Sequence, residues 1–386
     1  MRIGIDARCL QQGLGGGTAR VLYSLLKQWA SAGQANEYIL YFDDLDELMF
    51  DLNVLGQNFI FRDVRMPKML KRFLKVGLIW QQVILPLRLL RDKVDFFFSP
   101  YYSIPIFYLG KKCVVVHDIS YHTLKDEYPK KDVLSDIISR LSCILASKVI
   151  TDSETSKQEI IKHYNIPADK ISVIHCGIDI PEKMTGASAR FITIPNVRKG
   201  QYALYVGTMF KRRHVVELIK AWDARLAVSK TTALVLLGKN AIMPRIDLRE
   251  MIEEVNARHG GQYILHYDHV NDDELNALYA GCAVFIYPST YEGFGLPPLE
   301  AMLHNKPVIV GNADVFQEII GQAAMIIDPE KQGQILDAVD KALNNAALRA
   351  ELISNGKRVV ENLKWAKAAK LYLERFSECF AQKGSR

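Results

Sequence analysis

Short apolar runs alternate with helix-like stretches along the whole chain. The first half contains RIGIDA, EYILYF, VDFFFS, CVVVH, KVITD and ISVIH, and the second half contains YALYVG, ALVLLG, YILHY, AVFIYP, PVIV and AMIID. Many of these runs are β-branched and apolar on both faces, as strands of a buried parallel sheet are. Stretches such as TARVLYSLLKQWA and DVLSDIISRLSCILAS lie between them and read as helices. This alternation predicts parallel sheets with right-handed crossovers, which is an α/β fold.

The chain has 386 residues, which is more than one ordinary hydrophobic core supports. The polar stretch PEKMTGASARFITIPNVRKGQ, residues 181–201, holds two prolines and two glycines and is the best linker candidate. We therefore predict two doubly wound, Rossmann-like domains, residues 1–185 and 200–365, that face each other across a cleft. Ligands of such sheets bind at the carboxyl ends of the strands, so the cleft would bind a substrate from both sides.

Composition excludes several classes of protein. The net charge of +6 is mild, and neither half resembles a nucleic-acid-binding module. Six scattered cysteines without a C-x-x-C pair suit a reducing cytosol and argue against a zinc site or a disulfide framework. The start, MRIGIDARCL, reads as a strand rather than a signal peptide, and no apolar run is long enough to span a membrane.

Residues 62–93 form a local basic segment with nine Lys or Arg and two Asp. Such a segment is either a solvated helix face or a surface that contacts an anionic membrane or a phosphorylated substrate. Both interpretations stay open at this point.

A glycine-rich loop follows the first strand candidate, with Gly13, Gly15, Gly16 and Gly17 before a helix that opens near Thr18. Glycines at a helix N-terminus let backbone N–H groups approach an anion, so we expect a phosphate or a sugar nearby. The dinucleotide fingerprint G-x-G-x-x-G fails at its third glycine, where Thr18 stands.

Acidic residues end the second strand candidate. Asp43 and Asp44 keep the dinucleotide alternative open, because such an acid can bond a ribose. Asp44 and Asp46 form a D-x-D that could hold a metal, but the surrounding DDLDELMFD favours a solvated acidic loop.

Polar residues stand directly after three other strand candidates. His117 ends VVVH, where an imidazole could bond a sugar hydroxyl or a phosphate oxygen. Asp152 and Ser153 follow VIT and suit the N-cap of the next helix. After YALYVG come Lys211, Arg212 and Arg213, and clustered cations at a strand–helix junction suit a diphosphate.

The stretch YPSTYEGFGLPPLEAM, residues 287–302, places two glutamates eight positions apart around a glycine loop. Pro297 and Pro298 suit the first turn of a helix, and Glu300 would lie in that turn, where the helix dipole favours an acid. Glu292 would lie on the loop beside two glycines that expose backbone donors. A ligand with both hydroxyl and phosphate groups would use all of these features.

Taken together, these motifs resemble glycosyltransferase family 4, whose members have the GT-B fold. The resemblance is carried by IGIDAR with its glycine loop, VVVHD, VITDSETSK, KISVIHCGID, VGT followed by the two arginines, and YPSTYEGFGLPPLEAM, in that order. It covers about residues 1–375. It implies a transferase that uses a nucleotide-sugar donor, retains the anomeric configuration and needs neither metal nor cofactor.

The resemblance also implies roles in the second half. Glu300 would bind the donor ribose and Glu292 the hydroxyls of the donor sugar. Arg212 and Arg213 would hold the diphosphate, although the family often has Arg-Lys there, and some members carry arginine where Thr208 stands. Backbone donors to the sugar and diphosphate would come from Gly293, Phe294, Gly295 and Leu296.

In the first half, the resemblance implies that Gly16 and Gly17 close over the diphosphate and sugar, and that His117 contacts the sugar near the leaving group. In the second half, the backbone from Tyr267 to Val270 would face the base of the donor nucleotide. The C-terminal helix, about residues 366–386, would cross back to the first domain. His117, Arg213 and Glu292 are the implied catalytic residues.

The resemblance implies a retaining hexosyltransferase, with mannose from guanosine diphosphate mannose favoured. The acceptor would be a glycan or a polyprenyl-linked glycan in surface polysaccharide synthesis, in the cytoplasm or at the inner face of the membrane. One alternative is a nicotinamide-dependent sugar oxidoreductase, which needs Gly15 to Gly17 as the pyrophosphate turn and Asp43 as the ribose acid. It leaves Glu292 and Glu300 unexplained. Another is an inactive protein that binds a nucleotide-sugar.

Overall fold

The computed structural model describes residues 1–11, 16–33, 35–47, 55–66, 76–128, 133–178 and 200–381. The chain divides into two compact units. Unit 1 comprises Met1–Thr123, Lys130–Gly177 and Lys364–Arg386, and unit 2 comprises Leu124–Pro129 and Ile178–Leu363. Almost all of the predicted linker, residues 181–201, lies outside the described residues.

The elements follow the chain in the predicted alternation. The first part contains β1 (Arg2–Asp6), α1 (Gly17–Ser31), β2 (Glu37–Phe42), β3 (Phe59–Asp63), α2 (Val76–Ile79), a π-helical turn (Trp80–Ile84), α3 (Leu85–Arg91), β4 (Phe96–Ser99), β5 (Lys111–Val115), α4 (Ser120–Thr123), α5 (Val133–Leu145), β6 (Lys148–Thr151), α6 (Glu154–Tyr164) and β7 (Ile171–Val173). The second part contains β8 (Tyr202–Val206), α7 (Val215–Leu226), β9 (Ala233–Leu237), α8 (Leu248–His259), β10 (Ile264–Tyr267), α9 (Asp272–Gly281), β11 (Val284–Tyr287), α10 (Leu296–Leu303), β12 (Val308–Val310), α11 (Asp314–Ile319), β13 (Met325–Ile326), α12 (Gln332–Asn344), α13 (Ala346–Asn362) and α14 (Trp365–Ala381).

Unit 1 contains a seven-stranded sheet in the order β3-β2-β1-β4-β5-β6-β7, and its pairings are parallel. The order reverses between β1 and β4, so the loops that follow these two strands lie at a topological switch point. Every predicted strand of the first half is present. The additional strand, β3, was not predicted, because FIFRD ends in charged residues at the edge of the sheet.

Helices cover both faces of this sheet. On one face, α3, α5 and α6 contribute Leu89, Cys143 and Tyr164 to one buried apolar cluster. On the other face, Trp29 of α1 stacks on Tyr38 and donates its indole N–H to the backbone oxygen of Ala369 in α14, at 3.0 Å. The C-terminal helix α14 thus belongs to unit 1, as the resemblance implied.

Unit 2 contains a six-stranded parallel sheet in the order β10-β9-β8-β11-β12-β13. The six predicted strands of the second half are all present. Here the order reverses between β8 and β11, which brings the loops after Val206 and after Tyr287 next to each other. The predicted fold of two doubly wound parallel sheets is confirmed.

Among the described residues, no helix is both long and apolar enough to cross a membrane.

Candidate functional site

The switch point of unit 2 holds an ion pair between the two loops that meet there. Arg213 follows β8 and donates from Nε to Glu292 Oε1 at 2.7 Å and from Nη2 to Glu292 Oε2 at 3.1 Å. Its Nη1 donates to the backbone oxygen of Thr208 at 2.7 Å. Two parallel bonds between a guanidinium and a carboxylate fix the plane of both groups. The sequence predicted each residue as a ligand contact, and the structure adds that they hold each other.

Two further side chains of the same strand end fix the Glu292 carboxylate. Tyr287 donates its hydroxyl to Oε1 at 2.8 Å, and Ser289 donates to the same oxygen at 3.0 Å. We call Thr208, Arg213, Tyr287, Ser289 and Glu292 the switch-point cluster. Its hydroxyl donors could have been found from the sequence, because Tyr287 and Ser289 lie at the end of a predicted strand.

The cluster is largely buried. The Arg213 and Glu292 side chains are 14% and 10% exposed. Burial is the largest single influence on the pKa of Glu292 and would raise it, but the charge and hydrogen bonds of Arg213, with Arg212 and Tyr287, together hold that pKa below its usual range. Both members of the pair are therefore charged at neutral pH, and the guanidinium is pre-oriented at the carboxyl edge of the sheet. A fixed cation there can bind an anionic group without reorganisation.

The glycine loop continues directly into α10. Gly295 is the N-cap of this helix and has φ of +92°, and a Cβ at this position would approach the Phe316 ring to 2.6 Å. Glycine is required here for both reasons. The helix therefore begins at Leu296, and the positions predicted to offer backbone donors, Gly293 to Leu296, are the last loop residues and the first helical residue.

The helix start corrects the predicted position of Glu300. Since α10 begins at Leu296, Glu300 is its fifth residue and lies beyond the first turn, which contains no acid. Its half-buried carboxylate accepts a bond from the Tyr279 hydroxyl at 2.7 Å. The helix dipole therefore does not explain an acid here, because the dipole acts mainly on the first turn.

The neighbouring Arg212 has a different environment from Arg213. Its Nη1 donates to Glu127 Oε2 and its backbone N–H to Glu127 Oε1, both at 2.7 Å, and its side chain is 7% exposed. The Arg212 guanidinium is thus held by Glu127 rather than by Glu292, whereas its backbone oxygen accepts from Ser289 Oγ of the switch-point cluster at 3.4 Å. Sequence reasoning missed Glu127, which lies 85 residues away and belongs to no motif.

Tyr267 and Val270 lie at the carboxyl end of β10 and in the loop after it. The Tyr267 backbone oxygen accepts the Gly238 N–H at 2.9 Å, and both side chains are half-buried. This backbone is thus ordered at the same edge of the sheet as the switch-point cluster, three strands along from β11.

In unit 1, His117 follows β5 and Asp152 follows β6, so the two lie at adjacent strand ends. His117 Nδ1 lies 2.6 Å from Asp152 Oδ2, and Nε2 lies 3.1 Å from the backbone oxygen of Pro100. Both partners only accept, so both ring nitrogens must carry hydrogen. Burial is the largest single influence on the pKa of His117 and would lower it, but Asp152, Asp118 and the Pro100 carbonyl together raise that pKa. The imidazolium is therefore favoured.

Asp152 was predicted as a helix cap together with Ser153. The cap is Ser153, whose hydroxyl accepts the Ser156 N–H, whereas Asp152 pairs with His117. The adjacency of β5 and β6 is the signal that could have indicated this pair.

Gly16 and Gly17 lie at the start of α1, with Gly16 as its N-cap. A Cβ at either position would meet nothing within 4 Å, and neither residue has a positive φ. Packing within the chain therefore does not require glycine. Gly13 and Gly15 lie outside the described residues.

We expect Gly16→Ala and Gly17→Ala to unfold at the wild-type temperature but to raise the donor KM at least about tenfold, because a methyl group would block backbone approach to an anion. Gly333→Ala is a matched control, since that helical glycine also has open space around it. Thermal unfolding and steady-state kinetics would measure both. Unchanged donor KM values in both loop variants would contradict a role in donor binding.

The described part of the acidic loop after β2 places its D-x-D beside an arginine. Asp44 and Asp46 both pair with Arg65. Among the residues that the structure describes, no three His, Cys, Asp or Glu side chains are grouped to hold a metal ion.

Known proteins resemble this chain over both halves. The family model described as Glycosyltransferase Family 4 matches residues 15–182, and the model described as Glycosyl transferases group 1 matches residues 191–359. The O-antigen chain mannosyltransferase B of Escherichia coli is 31% identical over 287 residues, which are 72% of this chain and 72% of that protein. The chain belongs to glycosyltransferase family 4.

Another relative of this family 4 glycosyltransferase is the O-antigen chain mannosyltransferase RfbU of Salmonella typhimurium, which is 28% identical over 68% of this chain and 71% of that protein. Solved structures share its fold at low identity. Sucrose-phosphate synthase from Thermosynechococcus elongatus has a TM-score of 0.75 at 17% identity and covers 99% of this chain and 100% of that one. WaaG, a glycosyltransferase involved in lipopolysaccharide biosynthesis, has a TM-score of 0.71 at 15% identity, with 98% and 100% covered. The fold is GT-B, and the enzyme is a hexosyltransferase.

Proposed function

We propose that this enzyme is a retaining mannosyltransferase of surface polysaccharide synthesis. It would move mannose from a nucleoside diphosphate mannose, with guanosine as the favoured nucleoside, to a glycan or a lipid-linked glycan. The observation that carries the proposal is the pre-oriented Arg213–Glu292 pair at the switch point of unit 2, where doubly wound sheets bind their ligands.

The chemistry follows from the leaving group. When the glycosidic bond to the diphosphate breaks, negative charge grows on the diphosphate, and a fixed guanidinium nearby lowers that barrier. We assign this role to Arg213, and we assign Glu292 to orienting Arg213 and to accepting bonds from donor hydroxyls. Glu300, with its carboxylate held by Tyr279, would bind the ribose. Gly16, Gly17 and His117 would contact the diphosphate and sugar, and backbone from Tyr267 to Val270 would contact the base.

The choice of mannose rests on relatives. The curated proteins it resembles include two O-antigen chain mannosyltransferases and the serotype-specific mannosyltransferase WbdA of Escherichia coli, the last at 26% identity. Solved structures of similar fold include HepE of Anabaena in complex with UDP and glucose, at 16% identity and a TM-score of 0.67. That complex supports a nucleotide-sugar donor as the class of ligand, whereas the relatives favour the sugar.

Retention follows from the mechanism that the family resemblance implies. The leaving diphosphate departs on the face that the acceptor attacks, and a donor phosphate oxygen takes the acceptor's proton. No metal ion takes part. The enzyme would work in the cytoplasm, at the inner face of the membrane where a polyprenyl-linked acceptor is available.

A two-stage experiment tests the proposal. Nucleoside diphosphates and their sugars are first screened by thermal shift, and we expect guanosine diphosphate and its mannose conjugate to stabilise the enzyme most, because a ligand that binds only the folded state raises the unfolding temperature. Proton NMR of fresh transfer product should then show the anomeric configuration of the donor. An inverted product would refute the retaining mechanism. Nucleotide-sugar binding without hydrolysis or transfer to any glycan acceptor would favour the inactive binding protein.

A further inference from the structure

Helix α5 carries four large apolar side chains that are exposed to solvent, whereas small side chains of the same helix face the core. Ile137, Leu141, Ile144 and Leu145 are between 40% and 50% exposed. The opposite face, which carries Ser139, Ser142, Cys143 and Ala146, is at most 4% exposed. An amphipathic helix on a soluble protein normally buries its apolar face, so this helix is inverted.

The inverted orientation is fixed by specific contacts. Ser142 Oγ accepts the backbone N–H of Ile104 at 3.2 Å, and Cys143 and Ala146 belong to the buried apolar cluster of unit 1. Small side chains on this face let the helix lie close to the elements beneath it. The outward apolar side chains are therefore a stable feature of the folded unit.

Three neighbouring elements continue the exposed apolar surface. Val83 of the π-helical turn and Leu87 and Leu90 of α3 are 53–66% exposed, at helical spacing. Phe107 and Leu109, on the loop before β5, are 74% and 98% exposed. We call these five residues together with Ile137, Leu141, Ile144 and Leu145 the apolar ridge. It contains nine of the twelve large apolar residues that are exposed in the described part of the chain.

Hydrogen bonds join the three parts of the apolar ridge. Gln82, beside Val83, donates to the Ile104 backbone oxygen at 3.0 Å and accepts the Ile106 N–H at 2.7 Å. Ser142 of α5 bonds Ile104 from the other side. Leu85 and Leu89 of α3 share one buried cluster with Cys143 of α5. Both helices thus cover the same face of the sheet, and their outer faces point away from it on the same side.

Positive charge accompanies the apolar ridge. Arg91, Lys93 and Arg140 are exposed on or next to α3 and α5, and Lys170 donates to the backbone oxygen of Ile144 at 2.6 Å.

The carboxylates of these helices are held by protein groups. Asp92, at the C-cap of α3, accepts from Arg88 and Tyr41, and Asp136 of α5 pairs with His122 and accepts from Tyr164. An apolar surface with cations at its rim and neutralised acids matches an anionic lipid surface.

We propose that the apolar ridge inserts into the headgroup region of an anionic bilayer. The sequence placed possible membrane contact in the basic segment 62–93, part of which lies outside the described residues. Within that segment Arg62, Arg65 and Arg88 are paired with carboxylates. The apolar ridge shifts the contact towards α5 and the 107–109 loop. The inference deepens the proposed function, because a lipid-linked acceptor would be presented at that surface.

Vesicle sedimentation tests the inference with the full chain. Phosphatidylcholine vesicles with and without about one third phosphatidylglycerol are mixed with wild type, with Leu141→Ser/Ile144→Ser, and with Val228→Ser as a matched control. Val228 is 90% exposed but lies in unit 2. We expect the double variant to bind anionic vesicles at least about tenfold more weakly and the control to bind like wild type. Arg140→Glu should weaken binding to anionic vesicles only, and more so at low salt.

The outcomes separate this inference from the proposed function. The double variant should keep wild-type donor turnover with a soluble glycan acceptor, and vesicle binding needs no turnover at all. Wild-type-like binding by the double variant would overturn the inference. A second result would also overturn it: wild type does not bind vesicles but forms a dimer in analytical ultracentrifugation, and the double variant abolishes that dimer. The apolar ridge would then join two copies of the chain.

Discussion

Replacing Arg213 by alanine should lower kcat/KM by about 100- to 1000-fold, the usual effect of removing one pre-oriented group that stabilises charge in a transition state. The change would also leave Glu292 buried without its partner, which costs about 3–5 kcal/mol of folding free energy. Loss of activity alone would therefore not separate a role in catalysis from a role in folding.

The double variant Arg213→Met/Glu292→Gln makes that separation. It removes both charges at once, so the unfolding temperature should return towards wild type while kcat/KM stays low. Arg213→Lys keeps the charge without the two-bond geometry, so its kcat/KM should lie between those of wild type and Arg213→Ala. We also expect Glu292→Gln alone to weaken binding of the free nucleoside diphosphate in calorimetric titration, because Arg213 loses its support. If kcat/KM of the double variant stayed within roughly threefold of the wild-type value, Arg213 would not contact the reacting diphosphate.

Asp152→Asn should lower the free energy of unfolding by about 1.5–3 kcal/mol at pH 6, because it removes a charge-assisted hydrogen bond from a buried imidazolium. The pKa of His117 is raised in the folded protein. Its stabilising effect is therefore complete below the unfolded pKa of about 6.5 and is lost as the pH rises through the folded pKa.

Thermal unfolding of wild type and Asp152→Asn at pH values from roughly 6 to 9 would measure this effect. The difference between the two proteins should shrink as the pH rises. His117→Gln/Asp152→Asn has no titrating group at this position and should lose the pH-dependent part of the difference. If the stability curves of wild type and Asp152→Asn stayed parallel over the whole pH range, His117 would not be the imidazolium that its partners indicate.

The elements of both sheets could be predicted because each central strand is an apolar run that is buried on both faces. β3 was missed because an edge strand needs only one paired neighbour and tolerates the charged end of FIFRD. Helix α5 was predicted as a helix, but its orientation could not be. Periodicity shows that one face is apolar, whereas the side that faces the sheet depends on contacts such as that of Ser142 with Ile104.

Site residues could be predicted where a side chain with suitable chemistry stands at the end of a predicted strand. Arg213 and Glu292 stand at ends of predicted strands, so their neighbourhood follows from the sheet. Glu127 was not found, because its contact with Arg212 joins distant parts of the chain and no periodicity or motif marks it. Glu300 was predicted in the first turn of α10 but lies beyond it. Two prolines do not define the first helical residue, whereas the left-handed backbone of Gly295 does.

The Glu127–Arg212 contact has a consequence for exchanging halves between related enzymes. Residues 124–129 belong to unit 2, although they lie in the first half of the sequence, so the polypeptide passes between the units four times. A chimera joined only near residue 190 would pair the Arg212 of one parent with residue 127 of another. Where that residue is not an acid, the buried guanidinium would lack its counter-ion. Swaps meant to transplant donor specificity should therefore carry the short 124–129 segment together with the C-terminal half.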